Sequence, residues 1–121
     1  MQMRYEKLEV WNLARELVEE VRKLKEKYKE KYQFSLWDQI WRSITSIPLN
    51  IAEGSGRGSD KDYARFVSQA IASLSESRAN LQIALNQAAW ENLESRIQEL
   101  YFKLIAFRKT LLKSTLSKRS D

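Results

Sequence analysis

Ser46-Ile47-Pro48-Leu49-Asn50-Ile51-Ala52-Glu53-Gly54-Ser55-Gly56-Arg57-Gly58 decides the architecture of this chain. The stretch holds the single proline and all three glycines of the 121 residues. On either side the sequence is continuous helix-forming material. A chain whose helix breakers are gathered in one place near its middle is expected to fold as long helices that turn back on one another there.

Working outward from that stretch, four helical segments are predicted, at about 6–31, 35–54, 59–88 and 92–114. In the first, Val10, Ala14, Leu17, Val21, Leu24 and Tyr28 recur at steps of three and four, and Trp11 and Val18 widen the same face. The second opens at Ser35, which with Asp38 resembles a capping box. It then carries two apolar lines: Leu36, Ile40, Ile44, Ile47 and Ile51, and, about 100° further round, Trp37, Trp41, Pro48 and Ala52. Its polar stripe is Gln39, Ser43, Ser46, Asn50 and Glu53, with Arg42 and Thr45 beside it. Pro48 has no N–H for the carbonyl of Ile44, so a kink is expected there. Because the apolar and polar spacing continues across it, the expectation is a bent helix rather than a broken one.

The third segment begins with Ser59 as N-cap and Asp62 three residues on, and Asp60 suits the positive helix end. Tyr63, Phe66, Val67, Ala70, Ile71, Leu74, Leu81 and Leu85 form its stripe, while Ala64, Ser68, Ala72, Ser73, Ser75, Ser77 and Ala79 are small enough to permit close helix approach. A link at 89–92 leads to the fourth, marked by Leu93, Ile97, Leu100, Leu104, Phe107 and Leu111, with fraying expected after Ser114. No β pattern competes. The reading is an all-α, antiparallel, up-and-down four-helix bundle, one domain over residues 1–121, with the second helix kinked at Pro48.

Composition narrows the function. With no cysteine there is no disulfide framework, thiolate metal site or thiol nucleophile; with no histidine, the commonest general base and transition-metal ligand are also missing. Di-iron bundles need Glu-x-x-His units, which cannot be assembled here; the serine patches lack an imidazole partner, and spacing places no Ser–Lys pair. No enzyme, cofactor or metal is expected. No apolar run reaches the ~20 residues of a membrane span, so a cytoplasmic protein without membrane contact is expected. The net charge of +5 is concentrated after Arg96: Lys103, Arg108, Lys109, Lys113, Lys118 and Arg119 face only Glu99 and Asp121. Such a helix suits phosphates or an acidic protein, or is simply a solvated face. Tyr101 and Phe102, among these charges, read as core or interface residues rather than base-stacking platforms.

Asn50, Glu53 and Arg57 fall near one another across the second helix end. One reading is a polar site for a ligand or phosphate. The favoured one is structural: Asn50 bonding carbonyls loosened by Pro48, and Glu53 pairing with Arg42 or Arg57. The glycine run is neither a Walker loop nor a dinucleotide fingerprint. It reads as a tight turn with positive φ at one or more glycines, and also as an anion site formed with Arg57, Lys61 and the start of the third helix. The second apolar line, Trp37, Trp41 and Pro48, is a candidate subunit interface, since one small bundle has no need of two tryptophans on a second helix face.

The block from Asp38 to Gly54, followed by Gly56 and Arg57, resembles the signature of the four-helix bundle proteins encoded in intervening sequences of bacterial 23S ribosomal RNA genes. The matching pattern is Gln-hydrophobic-x-Arg, then Ser-Ile-Pro-x-Asn-Ile-Ala-Glu-Gly, then Gly-x-Arg. Upstream, Tyr5 to Trp11 resembles the family's Phe-x-x-Leu-x-Val-Trp; downstream, Ala70, Ser73, Leu74 and Glu76 fit its third-helix segment, with Ala72 where a glycine is common. The resemblance implies an up-and-down bundle that assembles into cyclic homo-oligomers, pentamers above all, and its genomic setting suggests an RNA role. The expectation is thus a non-enzymatic oligomeric binding protein, associated with RNA or DNA through a basic surface that includes Arg57, Lys61, Arg108, Lys109 and Lys113. The alternative is a structural or adaptor oligomer with a protein partner.

Overall fold

The computed structural model describes the backbone of residues 1–28 and 34–120, with side chains through Leu116 but excluding that of Phe34. A 3-10 turn at Arg4–Lys7 leads into α1 (Glu9–Tyr28), followed by α2 (Phe34–Ser55), α3 (Asp60–Ala84) and α4 (Gln87–Ser120). The expected end of the first helix near Lys31, the link before Phe34 and the side chains of Lys118 and Arg119 lie outside the described residues.

Among the described residues each helix packs on its neighbours around a square, α1 on α2, α2 on α3, α3 on α4 and α4 on α1. Direction follows from the cross-helix bonds. Ser43 pairs with Ser77 and Ser46 with Ser73, so α2 and α3 run antiparallel. Glu9 meets Lys103 and Glu16 meets Arg96, so α1 and α4 do too. The predicted apolar lines converge inward: Leu17 and Val21, Ile40 to Ile51, Val67 to Leu81, and Ile97, Leu100 and Leu104 are all sealed from solvent. Burying them removes about 25 cal/mol per Å² of apolar surface from water, the main term holding the bundle together.

α2 runs unbroken through Pro48. Inside that helix Asn50 Nδ2 donates to the Ser46 carbonyl (2.9 Å) and to Ser46 Oγ (3.0 Å). Asn50 thus holds backbone beside the proline, though the carbonyl it holds is that of Ser46 rather than the one Pro48 leaves at Ile44. Ser46 Oγ shares a 2.8 Å bond with Ser73 Oγ, and Ser77 Oγ donates to Ser43 Oγ at 2.8 Å while also reaching the Ser73 carbonyl. The Ser43–Ser46–Asn50 part of the polar stripe thus forms a polar seam between α2 and α3. Ser77 is fully buried in it, and its hydroxyl is satisfied, as burial demands.

Several boundaries differ from expectation, among them the start of α1, which is Glu9 rather than about residue 6 because the 3-10 turn at Arg4–Lys7 is separate from it. α3 ends at Ala84, not 88, because Leu85 turns extended and Asn86 Oδ1 accepts from the Ala89 N–H, capping α4 two residues later. The link is therefore Leu85-Asn86 rather than 89–92; Leu85 continued the apolar period and hid it. α2 starts one residue before Ser35, which sits in its first turn. The backbone of α4 stays helical beyond Ser114, to Ser120.

The glycine turn also departs from expectation, since none of its glycines, and no other described residue, has positive φ. What demands glycine is proximity. A Cβ on Gly54 would stand 2.5 Å from Tyr63 Cδ1 and 2.9 Å from Phe66 Cβ, whereas one on Gly56 or Gly58 would meet nothing closer than ordinary contact. Gly54 thus lets the end of α2 lie against the aromatic start of α3. Trp37 is corrected as well. It is 2% exposed in the monomer core and leaves no surface for a second subunit. Trp41 and Pro48 are half-buried, with Arg22 and Lys25 lying over the Trp41 ring at 5.4 and 5.7 Å.

Candidate nucleic-acid interface

The basic residues singled out by sequence gather at one end of the bundle, where α3 begins and α4 ends, and they fall into two environments. In the first, Arg57 is engaged. Its guanidinium pairs with Glu53 (2.9 Å), stands 3.8 Å from Asp62 and lies 4.5 Å over the Phe66 ring, with Arg65 on that ring at 4.6 Å. Arg42 does not compete for Glu53, being paired with Asp38 at 2.7 Å. The positive end of α3 is served by the chain itself: Ser59 Oγ accepts from the Asp62 N–H (3.1 Å), and Asp60 and Asp62 add negative charge in the first turn. An incoming anion would meet two carboxylates there. Lys61 is exposed beside them.

The second environment is the C-terminal half of α4. Ile105, Arg108, Lys109, Leu112, Lys113 and Leu116 line a shallow depression of about 420 Å³. The period of 3.6 brings the cations to one side with exposed leucines between them. Arg108 Nη1 donates to Ser68 Oγ on α3 at 3.2 Å, fixing that guanidinium at the groove edge. Lys109 and Lys113 form no ion pair among the described residues. Some cations elsewhere are paired, Arg22 with Glu19, Lys23 with Glu20, Arg65 with Asp62, and Lys103 with both Glu9 and Glu99. Those two carboxylates hold the Lys103 ammonium above its usual pKa.

Next to the first environment lies a buried phenol that sequence reasoning treated only as core. Tyr63 packs edge-on against Phe107 (5.2 Å between centroids), Arg4 lies 5.9 Å from its ring centre, and its hydroxyl is buried without a partner. Burial pushes its pKa up to about 12, and the Arg4 charge only partly opposes that.

Residues 6–113 match the model of the 23S rRNA-intervening sequence protein family. The chain belongs to that family. The match covers the polar seam, the Gly54 contact and the basic half of α4 through Lys113. No curated protein matches the sequence. Among the described residues no helix is long and apolar enough to cross a membrane.

Proposed function

We propose that this member of the 23S rRNA-intervening sequence protein family is a non-enzymatic, self-associating cytoplasmic protein that binds a nucleic-acid backbone through the C-terminal half of α4. The observation that carries this reading is the segregation of charge. Lys109 and Lys113 form no ion pair among the described residues and share one side of α4 with Arg108, which is fixed beside them by Ser68, so three cations stand together there. Cations without internal partners exchange their counterions for phosphates, and the released ions drive binding without sequence preference. Arg57 contributes little, because its charge is already shared between Glu53 and Asp62. Self-association multiplies a site of this kind, and five subunits in a ring is the number that the resemblance implies.

Fluorescence anisotropy against structured RNA, single-stranded RNA and duplex DNA at two salt concentrations tests this. The expected result is binding at low salt that falls steeply as salt rises; no binding at low salt overturns it. A second reading, an adaptor oligomer with a protein partner, is favoured by one observation: Phe102 and Leu116 are exposed on the same helix at 66% and 62%. Binding of a protein that survives high salt would support it instead.

A further inference from the structure

We infer that the site takes a single strand, with one unpaired nucleobase seated in the groove between α3 and α4 and the flanking phosphates on the basic half of α4; this rests on the nucleic-acid reading above. Tyr101 and Phe102 are not core residues. They are 38% and 66% exposed, and their rings stand nearly perpendicular, 77° apart with centroids at 5.5 Å. Together they line the α4 side of a depression of about 330 Å³, with the buried Leu74 and Ile97 as its floor and Arg78 on its α3 side. Perpendicular rings make a corner, in which a flat base can stack on one ring with its edge against the other. Such stacking tolerates any base, because each presents a π face. Gln98, on the same rim, has an amide with no bonding partner among the described residues, free to donate to or accept from a base edge.

Periodicity joins this depression to the basic one. On α3, Ser68, Ser75 and Gln82 are spaced by seven residues, two helical turns, and so share a face; on α4, Gln98, Ile105 and Leu112 do the same. Ser75, Gln82 and Gln98 line the first depression, Ile105 and Leu112 the second, and Ser68 accepts from Arg108 across the two helices. The two are therefore successive stretches of one α3–α4 groove. Phe102 stands two turns before Lys109, about 10 Å along the axis, with Lys113 one turn further. A strand whose base rests on Phe102 thus carries its next phosphates towards those lysines.

Charge selects a polyanion here over an apolar peptide. Among the described residues, Arg78, Arg108, Lys109 and Lys113 line the two depressions and no carboxylate does. Arg78 forms no ion pair among those residues; it donates to Gln82 at 3.3 Å and lies 5.4 Å over the Trp90 ring. Glu99, the one acidic residue of α4 between Gln98 and Leu116, is drawn away by Lys103, which also reaches Glu9 of α1.

The test is fluorescence anisotropy on the full chain at low salt with three probes: a uridine decamer, an abasic decamer carrying as many phosphates, and a duplex of equal length. The uridine decamer is expected to bind tighter than the abasic one by about 5- to 150-fold, the range for one base stacked on an aromatic side chain. Phe102→Ala, at an exposed position, should remove that factor. Its affinity for the abasic strand and the duplex, its circular dichroism and its particle mass should stay as in the wild type. If the wild type binds none of the three probes, the nucleic-acid reading is overturned together with the base groove. If it binds the two strands equally, or if Phe102→Ala weakens all three probes alike, the base groove alone is overturned. A particle mass that falls in Phe102→Ala overturns it too, since a second copy would then cover the groove.

Discussion

At the residue scale, Gly54 and Tyr63 show how differently two neighbours can constrain a fold. A methyl group at Gly54 would drive into the Tyr63 ring and the Phe66 Cβ, so Gly54→Ala should destabilise by about 1–3 kcal/mol, the range for an overpacked core. Gly56→Ala meets only an ordinary contact and Gly58→Ala open space, both at ordinary φ, so each should be neutral or stabilising by ~0.4–1 kcal/mol. Thermal unfolding of the three variants checks this; equal effects would show that turn flexibility rather than contact selects glycine. Tyr63 adds a pH dependence. Its phenol is raised to about 12 in the folded chain from the usual 10.0 of a tyrosine, so the unfolded chain loses its proton first. The contribution of the neutral phenol is complete below pH 10 and is lost as pH rises through about 12. Tyr63→Phe should abolish that loss and leave neutral-pH stability equal or higher, because the hydroxyl it removes is buried without a partner. Denaturant melts across that pH window report both.

At the element scale, the α2–α3 hairpin is held by the serine seam and the Arg57 clasp. The Glu53–Arg57 pair is open to water, the side chains being 58% and 41% exposed, so the pair contributes only ~0.2–1 kcal/mol, and the Phe66 contact of Arg57 a similar amount. Arg57→Ala should accordingly lower the melting temperature slightly and leave RNA affinity unchanged; a large loss of affinity would place the anion site at the glycine turn after all. The helices themselves were legible in the sequence because a period of 3.6 is a property of each segment alone. The link at Leu85-Asn86 was harder to read. Leu85 keeps the apolar period, and the signal was Asn86 three residues before the Ala89 N–H it caps. The seam was hidden for another reason. Ser43 and Ser46 read only as part of a polar stripe and Ser73 and Ser77 as small residues permitting close approach; which of them pair, and that Ser43 and Ser77 are buried, depends on the two helices together. Trp37 went the opposite way, read as surplus apolar surface when the fold needs it inside.

At the scale of the whole molecule, α4 does more than complete the core. It is 34 residues long against 25 in α3, and its backbone remains helical as its sequence turns basic. The basic character of this half was legible from composition alone. Which cations are free was not, because pairing depends on what other helices bring near: Lys103 is claimed by α1, while Lys109 and Lys113 are not. If those two lysines contact phosphates, each should account for about one unit of the slope of log affinity against log salt. The most direct test is therefore that slope, measured by anisotropy on a structured RNA for the wild type and for Lys109→Gln with Lys113→Gln. The account predicts weaker binding and a slope shallower by about 2 in the double variant, with helical content and particle mass unchanged. A slope identical in the two proteins, or no binding by the wild type at low salt, would contradict it.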